Sequence, residues 1–292
     1  MQEYLTKERL TSFIQAAFQE DVGEGDHSTL AAVPADQPGK AQLLIKEPGV
    51  IAGLELAKMI FHFHDPELQV ETQVADGQTV GPGQIGFWVT GKAASILTTE
   101  RLVLNCMQRM SGIATKTKAM HALIQHTNAR LLDTRKTTPN FRMLEKWAVS
   151  IGGGKNHRFA LYDMIMLKDN HIDFAGGISR AITAAKTYLQ REELNLKIEI
   201  ETRSLDEVRE VMRVGGVDII MLDNMDVPTM KEAVRMIGGR YETEASGGID
   251  EQRIVPIAES GVDYISVGAL THHVKSLDIS LKAVRSPQQI AD

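Results

Sequence analysis

The 292 residues hold a single cysteine, Cys106. No internal disulfide can form, and a reducing compartment, the cytoplasm, is the expected setting. Cys106 sits in an apolar, helix-like run, where free cysteines are usually buried and inert, so it reads as a packing thiol rather than a nucleophile. Long hydrophobic runs are missing too. None approaches the ~20 residues needed to span a bilayer, and the opening MQEYLTKERL is too polar for a signal peptide. Positive charge is scarce, with 32 Lys and Arg against 38 Asp and Glu and a net charge of −6. That balance argues against the broad basic surface by which proteins hold nucleic acid. What remains, 43% hydrophobic and 24% charged residues, suits a soluble globular protein with core enough for one large domain or two moderate ones.

Against this acidic background, Leu131–His171 is a cationic island. It carries seven Lys and Arg (Arg135, Lys136, Arg142, Lys146, Lys155, Arg158, Lys168) against Asp133, Glu145, Asp163 and Asp169, a local charge of +3. Such an island suggests a site for a small polyanion. Two apolar runs, Ala129–Leu132 and Met164–Leu167, lead straight into charged groups, as buried strands do when they deliver chemistry to the mouth of a barrel.

Taken in order, residues 1–20 have helical apolar spacing. Glu20–Thr29 is an acidic, glycine-rich loop without the oxygen spacing of a calcium loop, and reads as a solvated turn. Short strands dominate from Ala41 to Gly91, interrupted by a helix near Leu54–His64. His62 and His64 on that helix lack a third ligand nearby and read as surface or packing residues. A long helical pattern from Ile96 to about His126 carries Arg101 and a kink candidate, Ser111-Gly112. After Ala129 strands and helices alternate. KIEIE (197–201) precedes a helix opened by the capping box Ser204-x-x-Glu207. DIIMLD (218–223) precedes one with Pro228 in its first turn. YETEAS (241–246) leads through Gly247-Gly248 to a helix capped by Asp250, and DYISVG (263–268) ends the series. Alternation with strands buried on both sides means a parallel sheet, whose strand C-termini all lie on one side. Six strands are clear, and Ala148–Ile151 offers a seventh. The stretch is short for a complete eight-stranded barrel. The expected architecture is therefore α/β: an N-terminal mixed domain over 1–112, an incomplete six- or seven-stranded α/β barrel over 113–274, and residues 275–292 packing back on the first domain.

Three groups of residues at the strand ends carry chemistry. Arg135, Lys136, His157, Arg158 and Lys168 form a cationic set able to hold carboxylates or phosphates; the alternative is a solvated charge run, which fits poorly at buried strand ends. Glu201 and Asp223 end adjacent units and can share Mg²⁺, or else pair with the nearby cations. Ser246-Gly247-Gly248 and Val267-Gly268-Ala269-Leu270 have the small residues that let backbone N–H groups approach a phosphate, where the last strands of such barrels often hold one. Gly152-Gly153-Gly154 lacks a dinucleotide-loop context and reads as a close-packed turn. The residues alone predict an enzyme for two anionic ligands, one phosphorylated, with a divalent metal. They do not name the substrates.

The strings DTRKTTP (133–139), GGGKNHR (152–158), LKDNH (167–171), LDN (222–224), SGG (246–248) and SVGALTH (266–272), with ERLVLN (100–105) and SGIAT (111–115), resemble the quinolinate phosphoribosyltransferase family. The likeness runs from about Glu20 to Leu281. It implies an N-terminal α/β open sandwich plus an incomplete α/β barrel. It implies also the Mg²⁺-dependent reaction of quinolinate with phosphoribosyl pyrophosphate, giving nicotinate mononucleotide, pyrophosphate and CO₂ in NAD biosynthesis. By the same resemblance, Arg135, Lys136, His157, Arg158 and Lys168 line the quinolinate pocket, and Arg101 reaches it from a second subunit of a homodimer. Glu201 and Asp223 engage the metal and the ribose hydroxyls, and Ser246, Gly247, Gly248, Gly268 and Ala269 hold the 5′-phosphate. Lys136, Lys168, Glu201 and Asp223 are the catalytic set. Two departures stand out: Asn140 where the family usually has glycine, and Trp147 for a common tyrosine. Asn tolerates positive φ well. The rival readings are a molybdenum-transport-associated protein of similar fold, a Schiff-base aldolase using Lys168, and a non-catalytic anion-binding protein.

Overall fold

The computed structural model describes residues 3–284, which divide into two compact units. The first takes the chain up to Lys118, then Thr138–Gly153, then the stretch from Val274; the second takes Ala119–Thr137 and Gly154–His273. No helix among the described residues is long and apolar enough to cross a membrane.

The first unit begins with α1 (Lys7–Asp21), α2 (His27–Ala32), β1 (Pro38–Ile45), β2 (Gly49–Val50) and α3 (Leu54–His64). Then come β3 (Gln69–Thr72), β4 (Thr79–Val80), β5 (Ile85–Lys92) and most of α4 (Ala93–Ile124). The side chain of Thr6 caps α1. That of Asp26 caps α2, so the glycine-rich acidic loop ends as a helix start. The main sheet has the order β12-β1-β5-β3, where β12 is Ile279–Ala283 and every pairing is antiparallel. Phe61 of α3 meets Phe87 of β5 edge to face, both fully buried. Residues 285–292 of the expected C-terminal return lie outside the described residues.

Two expectations change here. Ser111-Gly112 does not interrupt α4, which is continuous from Ala93 to Ile124. The glycine serves close packing instead, because a Cβ there would strike the backbone carbonyl of Lys275. The seventh strand expected at Ala148–Ile151 is the end of a helix, α5 (Arg142–Ile151). Its buried Leu144, Ala148 and Val149 follow helical spacing, which four apolar residues taken alone cannot distinguish from a strand. Glu145 on α5 is fully buried, and it accepts hydrogen bonds from Arg109 at 2.8 and 3.0 Å and from Thr138 at 2.9 and 3.1 Å. Asn140, just before α5, has φ +62°, the conformation that glycine or asparagine accepts most readily.

The second unit contains β6 (Arg130–Leu132), β7 (Ile165–Leu167), α6 (Asp169–Ala175), α7 (Ile178–Arg191), β8 (Ile198–Thr202), α8 (Leu205–Val214) and β9 (Ile219–Asp223). It continues with α9 (Val227–Ile237), β10 (Glu242–Ser246), α10 (Ile254–Ala258), β11 (Tyr264–Ser266) and α11 (Ala269–His272). Its six strands pair in parallel in the order β6-β11-β10-β9-β8-β7. That is the cyclic order of a barrel opened between its first and second strands, so the incomplete barrel has six strands. Strand β8 is buried at all five positions, as a sheet covered on both faces requires.

The predicted caps largely hold. The Ser204 side chain accepts from the Glu207 N–H, and Gly215 closes α8; Pro228 lies in the first turn of α9, which ends at Gly238 in the left-handed region. Asp250 differs slightly. It accepts from Gln252 and Arg253 N–H groups and caps a turn that leads into α10, rather than the helix itself. Ser204→Ala, which leaves one helix N–H unsatisfied, is expected to destabilise the protein by about 1 kcal/mol. Urea denaturation measures it, and an unchanged midpoint would contradict the cap.

Candidate active site

Right-handed crossovers send the C-terminal ends of all six strands to one side of the barrel, and the polar residues collect there. A cavity of about 270 Å³ opens at these ends, lined by Thr134, Arg135, Lys136, His157, Arg158, Met166, Lys168, Met221, Glu244, Ser246 and Ser266. Six residues expected from sequence therefore share one cavity: Arg135, Lys136, His157, Arg158, Lys168 and Ser246.

Each is held by local structure. Asp133, fully buried at the end of β6, accepts hydrogen bonds from the His157 N–H at 2.9 Å and from the Asn156 amide, which pins the loop carrying His157 and Arg158. The Arg158 guanidinium donates to the Met164 carbonyl at 3.0 Å. Its pKa is depressed by burial and then by repulsion from Arg135. The buried Nε of Arg135 has no hydrogen-bond partner among the described residues, a donor in need of an acceptor. Lys136 follows Arg135 in a loop tied down by the Thr271 hydroxyl, which donates to the Lys136 carbonyl at 2.7 Å. Lys168 stands at the N-cap of α6, and its ammonium lies 3.7 Å from Glu201. Cations crowded this closely, partly desolvated, favour an anionic guest of more than one charge.

Glu201 and Asp223 end the neighbouring strands β8 and β9. Burial raises the Glu201 pKa, Lys168 opposes that rise, and the adjacent Asp223 carboxylate adds to it. Oε2 of Glu201 has no hydrogen-bond partner among the described residues. Two close carboxylates, one with a buried oxygen that accepts no hydrogen bond among the described residues, fit a hard divalent cation that takes oxygen ligands.

Ser246 pairs in register with Asp223, and the chain then turns through Gly247 at φ +102° and Gly248 at φ +56°. A Cβ at Gly247 would collide with the Asn224 side chain, so this turn admits only glycine. Arg253 donates to the Gly248 carbonyl at 2.7 Å and shapes the same turn. At Gly268 a Cβ would come within 3.0 Å of the Lys136 stem and 2.9 Å of His272. Ala269 begins the four-residue helix α11. Arg101 lies exposed on α4, in the first unit, and is not among the residues lining the cavity.

Sequence reasoning missed two residues, Glu199 on β8 and Glu244 on β10. Both are fully buried, and their Oε2 atoms lie 3.0 and 3.3 Å from His157 Nε2. Burial alone would discharge the His157 ring, but the two carboxylates outweigh it and raise its pKa to about 10. The Arg158 backbone N–H donates to Nδ1 at 2.6 Å, which turns the Nε2–H toward the two carboxylates. The signal was present in KIEIE: Glu199 and Glu201 have the same parity on a strand buried on both faces, so both side chains belong to one interior.

The comparisons with known proteins converge. The family model described as the quinolinate phosphoribosyl transferase N-terminal domain matches residues 26–111, and its C-terminal counterpart matches residues 113–282. A quinolinate phosphoribosyltransferase [decarboxylating] of Nicotiana tabacum is 49% identical, over 94% of this chain and 82% of the relative. A probable nicotinate-nucleotide pyrophosphorylase [carboxylating] of Bacillus subtilis is 39% identical, over 97% and 96%. Among solved structures, the nicotinate-nucleotide pyrophosphorylase of Francisella tularensis superposes with a TM-score of 0.88 at 38% identity, covering 96% of this chain and 98% of that one. With both of its family's domains present in order and close relatives covered over most of their length, the chain belongs to the quinolinate phosphoribosyltransferase family.

Proposed function

We propose that this chain transfers the phosphoribosyl group of phosphoribosyl pyrophosphate to quinolinate and releases nicotinate mononucleotide, pyrophosphate and CO₂, the committed entry of a pyridine ring into NAD biosynthesis. The observation that carries this reading is the cavity itself, in which Arg135, Lys136, Arg158 and Lys168 face a volume of about 270 Å³, small enough for a single aromatic diacid. Arg135 and Arg158 hold the two carboxylates as bidentate partners, and Lys136 and Lys168 add point charge where pyrophosphate departs. Glu201 and Asp223 hold Mg²⁺ and the ribose hydroxyls, while Ser246, Gly247, Gly248, Gly268 and Ala269 surround the 5′-phosphate. Bound Mg²⁺ would supply charge to the departing pyrophosphate.

Loss of pyrophosphate gives the ribose carbon oxocarbenium character, and the fixed carboxylates of Glu201 and Asp223 suit that charge. The ring nitrogen of quinolinate, oriented by the arginines, then attacks. Once that nitrogen is quaternary, the adjacent carboxylate leaves as CO₂, its electron pair stays on the ring carbon next to a positive charge, and a proton from solvent then bonds to that carbon, so decarboxylation follows bond formation. Nicotinate lacks the second carboxylate and would leave a buried cation unpaired, which excludes it as a substrate. We place the enzyme in the cytoplasm as a homodimer whose Arg101 serves the neighbouring subunit's cavity.

Neither rival enzyme draws support. Lys168 stands among arginines and beside Glu201, not in the apolar setting that makes a lysine a carbonyl nucleophile. Incubating the protein with quinolinate, phosphoribosyl pyrophosphate and Mg²⁺ is expected to yield equimolar nicotinate mononucleotide and CO₂. A chelator is expected to abolish both. Binding of phosphoribosyl pyrophosphate without turnover would instead favour a non-catalytic anion-binding protein.

A further inference from the structure

The buried pair Glu199 and Glu244 poses a physical problem. Two carboxylates stand in the interior of a barrel whose cavity, on the reading above, receives a doubly negative ligand. All four of their oxygens lack a well-aligned hydrogen-bond partner among the described residues. Burying charge this way is costly, and apolar residues of similar volume in place of buried ion pairs are often neutral or stabilising. Their compensation comes from His157, 3.0 and 3.3 Å away, and for Glu199 also from the neighbouring Arg158. Those two residues belong to the cavity lining, and Glu244 lines it as well. Strands β8 and β10 flank β9, so the two carboxylates approach the His157 ring from different strands and fix it between them.

We propose that Glu199 and Glu244 are positioning residues that determine which pyridine diacid the cavity accepts. They hold the His157 ring, and Glu199 the Arg158 charge, in one arrangement. Glu244, which lines the cavity, also repels a carboxylate placed anywhere except against the arginines. The attractive element of recognition is then Arg135 and Arg158, held in part by Glu199, and the repulsive one is Glu244, the combination by which sites discriminate isomers of equal charge. This inference rests on the assignment of the cavity to quinolinate. A divalent ion is the competing occupant, since the ligand atoms of His157, Glu199 and Glu244 lie within 4.8 Å of one another. Arg135, Lys136, Arg158 and Lys168 around the same cavity weigh against a further positive charge there.

The test is steady-state kinetics on Glu199→Gln and Glu244→Gln, with pyridine-2,6-dicarboxylate as a competing isomer and metal analysis of each protein. The KM for quinolinate is expected to rise about 10-fold or more in each, with kcat and the KM for phosphoribosyl pyrophosphate changed less than ~2-fold. Inhibition by the 2,6-isomer is expected to strengthen relative to quinolinate binding. Glu199→Asp and Glu244→Asp, which keep the charge, are expected to retain the wild-type discrimination between isomers even where KM rises. If a glutamine variant does not fold, the aspartate variant decides, and lost discrimination there overturns the proposal. Unchanged KM and selectivity in both glutamine variants, or parallel shifts for both substrates, also overturns it. So does one equivalent of a divalent ion in the wild type that the variants lack. Wild-type protein that does not bind quinolinate would overturn the reading of the cavity, a different result from wild-type binding with indifferent variants.

Discussion

Arg158→Ala and Arg135→Ala each weaken quinolinate binding by at least ~2 kcal/mol, roughly a 30-fold rise in Kd. Both guanidiniums line the cavity, where burial and then repulsion from Arg135 depress the Arg158 pKa, so an anionic ligand placed between them relieves that repulsion. The Arg135 Nε is already desolvated without a hydrogen-bond partner among the described residues, so the ligand carboxylate satisfies it with no further desolvation cost on the protein side. Truncating either arginine leaves one ligand carboxylate facing an apolar gap, and the loss exceeds that of an exposed ion pair, which is worth about 0–1 kcal/mol. Calorimetric titration with quinolinate alone measures the effect. Unchanged affinity in both variants would remove the diacid from this cavity.

Asp223→Asn and Glu201→Gln are expected to lower kcat by about 10²-fold or more, the scale associated with losing one preorganised electrostatic contribution at a reacting centre. Quinolinate affinity is expected to change little, because neither residue is among those lining the cavity. Stability provides the discriminating control. Burial raises the Glu201 pKa, and Asp223 contributes to that rise, so the two carboxylates oppose each other in the folded protein. Asp223→Asn relieves that repulsion and leaves the Glu201–Lys168 pair in place, so its thermal unfolding is expected at or above the wild-type midpoint. A fall in kcat accompanied by a lowered midpoint would mean that Asp223 is structural. Full activity at any Mg²⁺ concentration would remove both residues from the metal site.

How much of this was legible beforehand depended on whether a signal was local. The helix Leu54–His64, the Ser204 cap, Pro228 in the first turn of α9 and the tolerance of Asn140 for positive φ each depend on a few neighbouring residues, and the structure reproduces them. Ala148–Ile151 misled because a four-residue apolar run fits either period, and only its continuation back through Leu144 shows the helix. Ser111-Gly112 misled because a glycine inside a helix looks like a hinge until the backbone packed against it is seen. Glu199 and Glu244 were missed because they are 45 residues apart in sequence and meet the same histidine only through the order of the sheet.

By itself, the sequence determined the rhythm of strands and helices, the placement of charged groups at strand ends, and the family motifs that name a chemistry, because these follow from spacing along one chain. Which of the charges share a cavity, which carboxylate is paired with which histidine, and why glycine alone serves at Gly247 were decided only by the tertiary structure. Electrostatic energy and steric exclusion depend on distance through space, and parallel strands drawn from across 140 residues set those distances together, from β6 at Arg130 to α11 at Ala269.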